Sequence, residues 1–216
     1  MSGASARLGR AYHLHSYPAV TPTRLLLSVS MVLLALWGAA HVAADSVTDR
    51  LRPEIERVLQ TLDDPTLKPA AKAPERRQAL REVTNGLFDW AEMAHRALGP
   101  HWDARSEAER AEFSELFRGL VERAYLARIE RYGGEKIAYA GESVEGEQAT
   151  VRTRVVMRQG DVSIDYRLSA RGDRWLIHDV VVDGISITAN YRAQFSEILT
   201  RTSYQELVKR IRARVS

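Results

Sequence analysis

The chain has 216 residues, 45% of them hydrophobic and 27% charged, enough for one large core or two small ones. It has no cysteine, which excludes disulfides, thiolate metal sites and a cysteine nucleophile. The net charge of +3 belongs entirely to Arg7, Arg10 and Arg24 in the first 44 residues, which hold no acid; the neutral remainder lacks the basic surplus that nucleic-acid binding requires.

Taken in order, the chain opens with a leader. Arg24 precedes an apolar run from Leu25 to Ala40, and Val42 and Ala44 place small residues before Asp45. This pattern predicts an export signal over residues 1–44, cut after Ala44. The run is shorter than the ~20 residues a spanning helix prefers. No cysteine follows it, so no lipoprotein is expected.

Residues 45–216 read as one domain of helices, then strands, then helices. Leu51, Ile55, Val58, Leu59 and Leu62 recur at helical spacing. A loop is predicted from Asp64 to Pro74, a helix from Glu75 to Asn85, and a short helix carrying Met93 that stops at Gly99-Pro100. Ser106 and Glu109 form a capping box before the strongest helix, where Phe113, Leu116, Phe117, Leu120, Val121 and Ala124 share a face that continues through Tyr125 and Ile129. The period then switches to two. Val151, Thr153, Val155 and Met157 alternate with arginines, and Val162, Ile164, Tyr166 and Leu168 alternate with Ser163, Asp165, Arg167 and Ser169. With Ile137–Val144 and Trp175–Val182, this predicts four strands joined by glycine turns. After Gly184 the helical stripe Ile187, Tyr191, Phe195, Ile198 and Leu199 follows. A second capping box, Ser203 with Glu206, starts a last helix. The expected fold class is α+β, a curved antiparallel four-stranded meander covered by helices on its apolar face.

A search for chemistry returns little. His95 and His101 do not share a helix face at metal-ligand spacing. His178 is next to Asp179 in a strand, where neighbours should point to opposite faces. Gly184-Ile185-Ser186 begins like a nucleophile elbow but continues to Thr188 instead of glycine. Gly133-Gly134 lacks the Lys-Ser/Thr of a phosphate loop. Asp89 and Glu92 read as a cap and a solvated residue, and Asp165 with Arg167 as a surface pair. No catalytic set, metal site or cofactor is expected. What remains is apolar surface, and periodicity fits a solid core as well as a hollow one.

Seven stretches, in order and spacing, resemble the MlaC family, also called toluene-tolerance auxiliary transport proteins. They are Gly86–Trp90 with Met93, Leu98–Trp102, Ser106 with Phe113 and Phe117, Ile164–Leu168, Trp175–Val180, Asp183–Ser186 and Asn190–Leu199. The resemblance covers essentially all of residues 45–216. It implies an NTF2-like fold with an apolar cavity, and a monomeric, non-enzymatic phospholipid carrier in the periplasm. The implied partners are an inner-membrane ABC transporter with an MCE-domain subunit and an outer-membrane lipoprotein complex. Burying a methylene is worth about 0.8 kcal/mol, so two acyl chains of roughly 30 methylenes face a barrier of order 20 kcal/mol against escape into water. A carrier should therefore enclose the tails. The residues expected to contact them are Leu87, Phe88, Met93, Phe113, Phe117, Leu120, Ile129, Val155, Met157, Ile164, Tyr166, Leu168, Trp175, Tyr191 and Phe195. Arg192 is a candidate for a lipid phosphate or a partner, or else a solvated residue. The alternatives left open are an enzyme or binder of similar fold acting on another small apolar ligand, such as a hopanoid, and a solid-cored adaptor.

Overall fold

The computed structural model describes residues 46–129, 133–158 and 160–215, without the side chains of 126–129. The predicted leader, residues 1–44, lies outside them. Among the described residues, α1 (Val47–Asp63), α2 (Ala73–Asn85), α3 (Trp90–Leu98) and α4 (Glu107–Ile129) precede the sheet, and α5 (Ile187–Arg201) and α6 (Tyr204–Val215) follow it. A 3₁₀ turn at Ala70–Lys72 breaks the predicted loop, and another occupies Gly99–His101. No helix among these residues is long and apolar enough to cross a membrane.

The helix starts follow from side-chain caps. Ser46 accepts from the Asp49 amide at 3.0 Å to begin α1. At α4 the predicted box closes in both directions: the Ser106 amide donates to Glu109 at 2.9 Å, and the Glu109 amide donates back to Ser106 Oγ at 3.3 Å. The second box is half made. Ser203 caps the Glu206 amide at 3.2 Å, but the Glu206 carboxylate pairs with Arg210 at 2.8 Å instead of reaching back. Arg210 lies one turn along the helix and supplies a charge that a backbone amide does not.

The sheet is antiparallel in the order β1-β2-β3-β4-β5, with β1 (Lys136–Glu145), β2 (Gln148–Val156), β3 (Val162–Arg171), β4 (Arg174–Val182) and β5 (Ile185–Ser186). The fifth strand corrects the predicted four. Asp183 (φ 47°) and Gly184 (φ 82°) both have positive φ, the requirement of a type I′ hairpin turn, and they fold Ile185 back onto Val182. A two-residue strand is too short to show a period of two. Ser186 ends it and caps α5, its Oγ accepting from the Ala189 amide at 3.1 Å. The β4 edge gains one more partner: Ile177 and the segment Leu87–Asp89 exchange backbone bonds of 2.9 and 2.8 Å.

Two bulges interrupt the ladder. Ala140 is extra between Tyr139 and Gly141, and His178 is extra opposite the step from Arg167 to Leu168. Bulges bend a strand and re-aim side chains. The inner face carries Ala149, Val151, Leu168, Ile177 and Val180, all buried, against Met93, Leu98, Leu120, Leu207 and Ile211 from the helices. At the centre stand five rings. Phe117 meets Tyr191 edge-on at 5.3 Å, Phe113 meets Phe195 edge-on at 5.8 Å, and Tyr204 lies 6.2 Å from Phe113. Phe113, Leu116, Phe117, Leu120, Val121 and Tyr125 of the predicted α4 stripe meet the core, Ala124 is exposed, and the side chain of Ile129 lies outside the described residues.

Candidate functional site

The apolar residues singled out above fall into three groups. Leu87, Met93, Phe113, Phe117, Leu120, Leu168, Tyr191 and Phe195 are buried in the core between helices and sheet. Phe88, Val155, Ile164, Tyr166 and Trp175 are half-buried, and Met157 is exposed at the end of β2. The side chain of Ile129 lies outside the described residues. The core rings pack against one another, so the structure brings the first group together as a closed cluster. The half-buried residues form a different feature, a strip on the inner sheet face. Val155 opposes Val162 and Ile137, Ile164 opposes Thr153 and Val182, and Tyr166 opposes Val151 and Val180. Ile185, paired with Val182, extends this strip to solvent at 64% exposure. A run of apolar side chains left partly accessible on one sheet face is a surface that expects a covering.

The strip has a polar element that sequence reasoning did not single out. Tyr139 stands opposite the buried Thr153, and Arg52 of α1 places its guanidinium 4.0 Å above the Tyr139 ring. The signal was available at Tyr139, which occupies the inward register of β1 two residues after Ile137. Nothing in the sequence marks Arg52, because its role depends on how α1 lies along β1. The phenol of Tyr166 is withdrawn from water although its ring is only half-buried; desolvation pushes its pKa up to about 12 against the lowering effect of Thr153. Burial raises Tyr139 too, opposed by Arg52. Both hydroxyls therefore stay protonated as donors at neutral pH.

Two of the clefts in the described surface, of about 240 and 250 Å³, are lined by none of the expected tail contacts. The first is polar and sits on the outer face, with Glu145, Gln148, Arg167 and His178 in its lining. Here the bulge overturns the expectation that His178 and Asp179 face opposite ways: His178 is 4% and Asp179 2% exposed, His178 lines the cleft that Arg167 lines, and Asp179 pairs with Arg167. Arg167 pairs with Asp179 at 3.2 Å, not with Asp165 as the strand pattern suggested. The Asp179 carboxylate also accepts from Ser186 Oγ at 2.6 Å and from the Thr188 amide at 3.1 Å. It thus fastens β4 to the start of α5, a structural task. His178 Nε2 lies 3.1 Å from Gln148 Oε1, which also accepts from the buried Ser169 at 3.2 Å.

Burial, and then the charge of Arg96, hold the His178 imidazole below its ordinary pKa of 6.5, with Asp179 and Glu92 pulling the other way. The unfolded chain then binds a proton near pH 6.5 that the folded chain resists. Stability is complete above that pH and declines as pH falls below it. The midpoint of thermal unfolding should therefore drop between pH 7 and pH 5. The drop should be shallower in His178→Gln, and melting scans across that range that give parallel curves for both proteins would show that another group is responsible.

The remaining candidates also have structural partners. Asp89 caps α3 through the Glu92 amide at 3.0 Å and pairs with Arg171 at 3.0 Å. Glu92, expected to be solvated, pairs with Arg96 at 2.8 Å and approaches His95 at 3.3 Å. Arg192 is exposed; its Nε donates to the Arg96 carbonyl at 2.8 Å, and its stem packs over Gly99, where an added Cβ would meet Cδ at 3.4 Å. Gly99 has a φ of 60°, the conformation for which glycine is needed there. Among the described residues no three His, Cys, Asp or Glu side chains gather as a metal site.

Comparison with known proteins gives this arrangement a lineage. The chain is 21% identical over 143 residues to the intermembrane phospholipid transport system binding protein MlaC of Haemophilus influenzae, a match spanning 62% of this chain and 67% of that one. In fold it is similar to the phospholipid-binding protein from Ralstonia solanacearum, whose structure was solved in complex with a phospholipid. That likeness has a TM-score of 0.72 at 20% identity and covers 79% of this chain and 97% of the other. The family model described as MlaC protein matches residues 53–213. That match runs from within α1 to the last turn of α6 and takes in every strand of the sheet and the helices between, and this chain belongs to the MlaC protein family.

Proposed function

We propose that this chain is a periplasmic phospholipid carrier, exported through a leader cut after Ala44, and not an enzyme. Its acyl-chain site is the half-buried strip of Val155, Ile164, Tyr166, Val182 and their neighbours, roofed by α1 in an NTF2-like cone. Lipid so held would pass, as a monomeric complex, between an outer-membrane lipoprotein complex and an inner-membrane ABC transporter with an MCE-domain subunit. The observation that carries this reading is the apolar strip itself, left partly open beside a core that is otherwise closed. Family membership and the lipid named for both relatives support it. The closed ring cluster anchors the helices, and the tails take the strip beside it.

The test is direct. Lipid extracted from the purified exported protein and weighed by mass spectrometry should contain phospholipid near one equivalent. Absence of lipid, together with failure to take it up from vesicles, would overturn the carrier reading. Placing a charge on the strip should empty it, because an unpaired carboxylate in apolar surroundings opposes tail burial by several kcal/mol. Ile164→Glu is thus expected to reduce bound lipid by about tenfold or more. Circular dichroism of the same sample checks that the sheet remains.

A further inference from the structure

A closed core has no use for the polar ribbon that crosses the inner face of this sheet. Tyr139 stands opposite Thr153. Thr153 in turn stands beside the phenol of Tyr166, which also feels Tyr139. Thr153 is 2% exposed, and its hydroxyl hydrogen is committed to the Ile164 carbonyl at 2.9 Å. Apolar residues flank the ribbon on both sides: Ile137 and Val155 towards one end, Val151 and Val180 towards the other.

Above this ribbon lies a cation that makes no ion pair among the described residues. Arg52 is half-buried, rests on the Tyr139 ring, and has no ion pair or hydrogen bond among the described residues. Two carboxylates on the same two elements, Glu142 of β1 and Glu56 of α1, are engaged or exposed. Glu142 accepts from both the amide and the hydroxyl of Thr48 at 2.7 and 2.6 Å, which ties it to the first turn of α1. Glu56, one turn beyond Arg52, is exposed, and it acts on the Tyr139 phenol only at a distance. A half-buried guanidinium is costly to leave unpaired, and its planar fork suits the oxygens of a phosphate.

We propose that Arg52 and the Tyr139 hydroxyl bind the anionic phosphodiester of the carried lipid at the β1 edge, so that its tails run inward over Val155, Ile164 and Tyr166. The Tyr139 ring holds the guanidinium in place from below, and its O–H donates beside it. Thr153 and Tyr166 come next in line, at the depth of the glycerol esters. The carrier then selects for a phosphate-bearing lipid by charge and not by tail length alone. The inference rests on the carrier reading above.

The experiment loads the full-length exported protein from vesicles that contain either phosphatidylglycerol or diacylglycerol with the same acyl chains. Bound lipid is measured by mass spectrometry. Arg52→Gln should lower phosphatidylglycerol uptake roughly tenfold and leave diacylglycerol uptake unchanged. Tyr139→Phe keeps the ring under the guanidinium and should lose only a few-fold. Arg57→Gln changes net charge equally but removes an exposed residue that pairs with Glu54, and should change nothing. Unaltered phosphatidylglycerol uptake in Arg52→Gln overturns the inference and leaves the carrier standing. Equal loss of both lipids also overturns it, since Arg52 would then act through the fold. If the wild type takes up neither lipid, the carrier reading fails first. Inorganic phosphate titrated against the lipid-free protein, followed by ³¹P line broadening, separates the other source of the same chemistry. Arg52-dependent broadening with no Arg52 effect on vesicle lipid would assign the site to free phosphate and overturn the lipid assignment.

Discussion

Phe117→Ala is expected to lower the free energy of unfolding by about 3–5 kcal/mol, the usual range for removing a fully buried aromatic ring. The ring is 0% exposed and touches three others: Tyr191 at 5.3 Å, Phe195 at 6.2 Å and Phe113 at 6.4 Å. Its removal leaves a hole that α5 cannot close without moving off β4, because Tyr191 and Phe195 on α5 lean on the same ring. Phe117→Leu retains most of the volume and should lose much less. Urea unfolding followed by tryptophan fluorescence gives the number, with an unchanged m-value as the sign that only stability moved. A loss below about 1 kcal/mol would mean that the cluster is loose and that rings, not only the strip, yield to a ligand.

Asp179→Ala should cost about 3 kcal/mol or more, by a different route. The carboxylate is 2% exposed and takes three hydrogen bonds at once, from Ser186, Thr188 and Arg167. Truncation strands the buried Thr188 amide and frees the N-terminus of α5 from the sheet. Much of the penalty comes from the partners left unsatisfied, because Arg167 itself is half-exposed and its ion pair is screened by water. Asp179→Asn keeps the shape and some acceptors and should fall between wild type and alanine. Hydrogen exchange localises the effect: amides of the first turn of α5 should lose protection before those of α4. Uniform loss across both helices would contradict the fastening role given to Asp179.

Taken by element, the sequence was legible where a single period ran long enough. Phe113, Phe117, Leu120 and Val121 repeat over three turns of α4, and Thr153, Val155, Ile164, Tyr166 and Leu168 alternate cleanly along two strands. Capping boxes fixed helix starts because each is a contact between neighbours in sequence. β5 escaped because two residues show no period, although Asp183-Gly184 held the turn signal. The candidate site was half legible. Its apolar members Val155, Ile164 and Tyr166 stand out by alternation. Arg52 and Tyr139 do not, since their meaning comes from a contact between elements 87 residues apart in the chain.

Composition, periodicity and capping were enough to determine an α+β domain with an apolar sheet face, because those properties are local or additive along the chain. Tertiary structure alone decided which apolar residues close into a core and which stay half-open on the strip. It also decided that a bulge would bury His178 and Asp179 together, and that Arg52 would lie over Tyr139. Burial and pairing are set by what arrives from distant parts of the chain, and no window of sequence contains both partners.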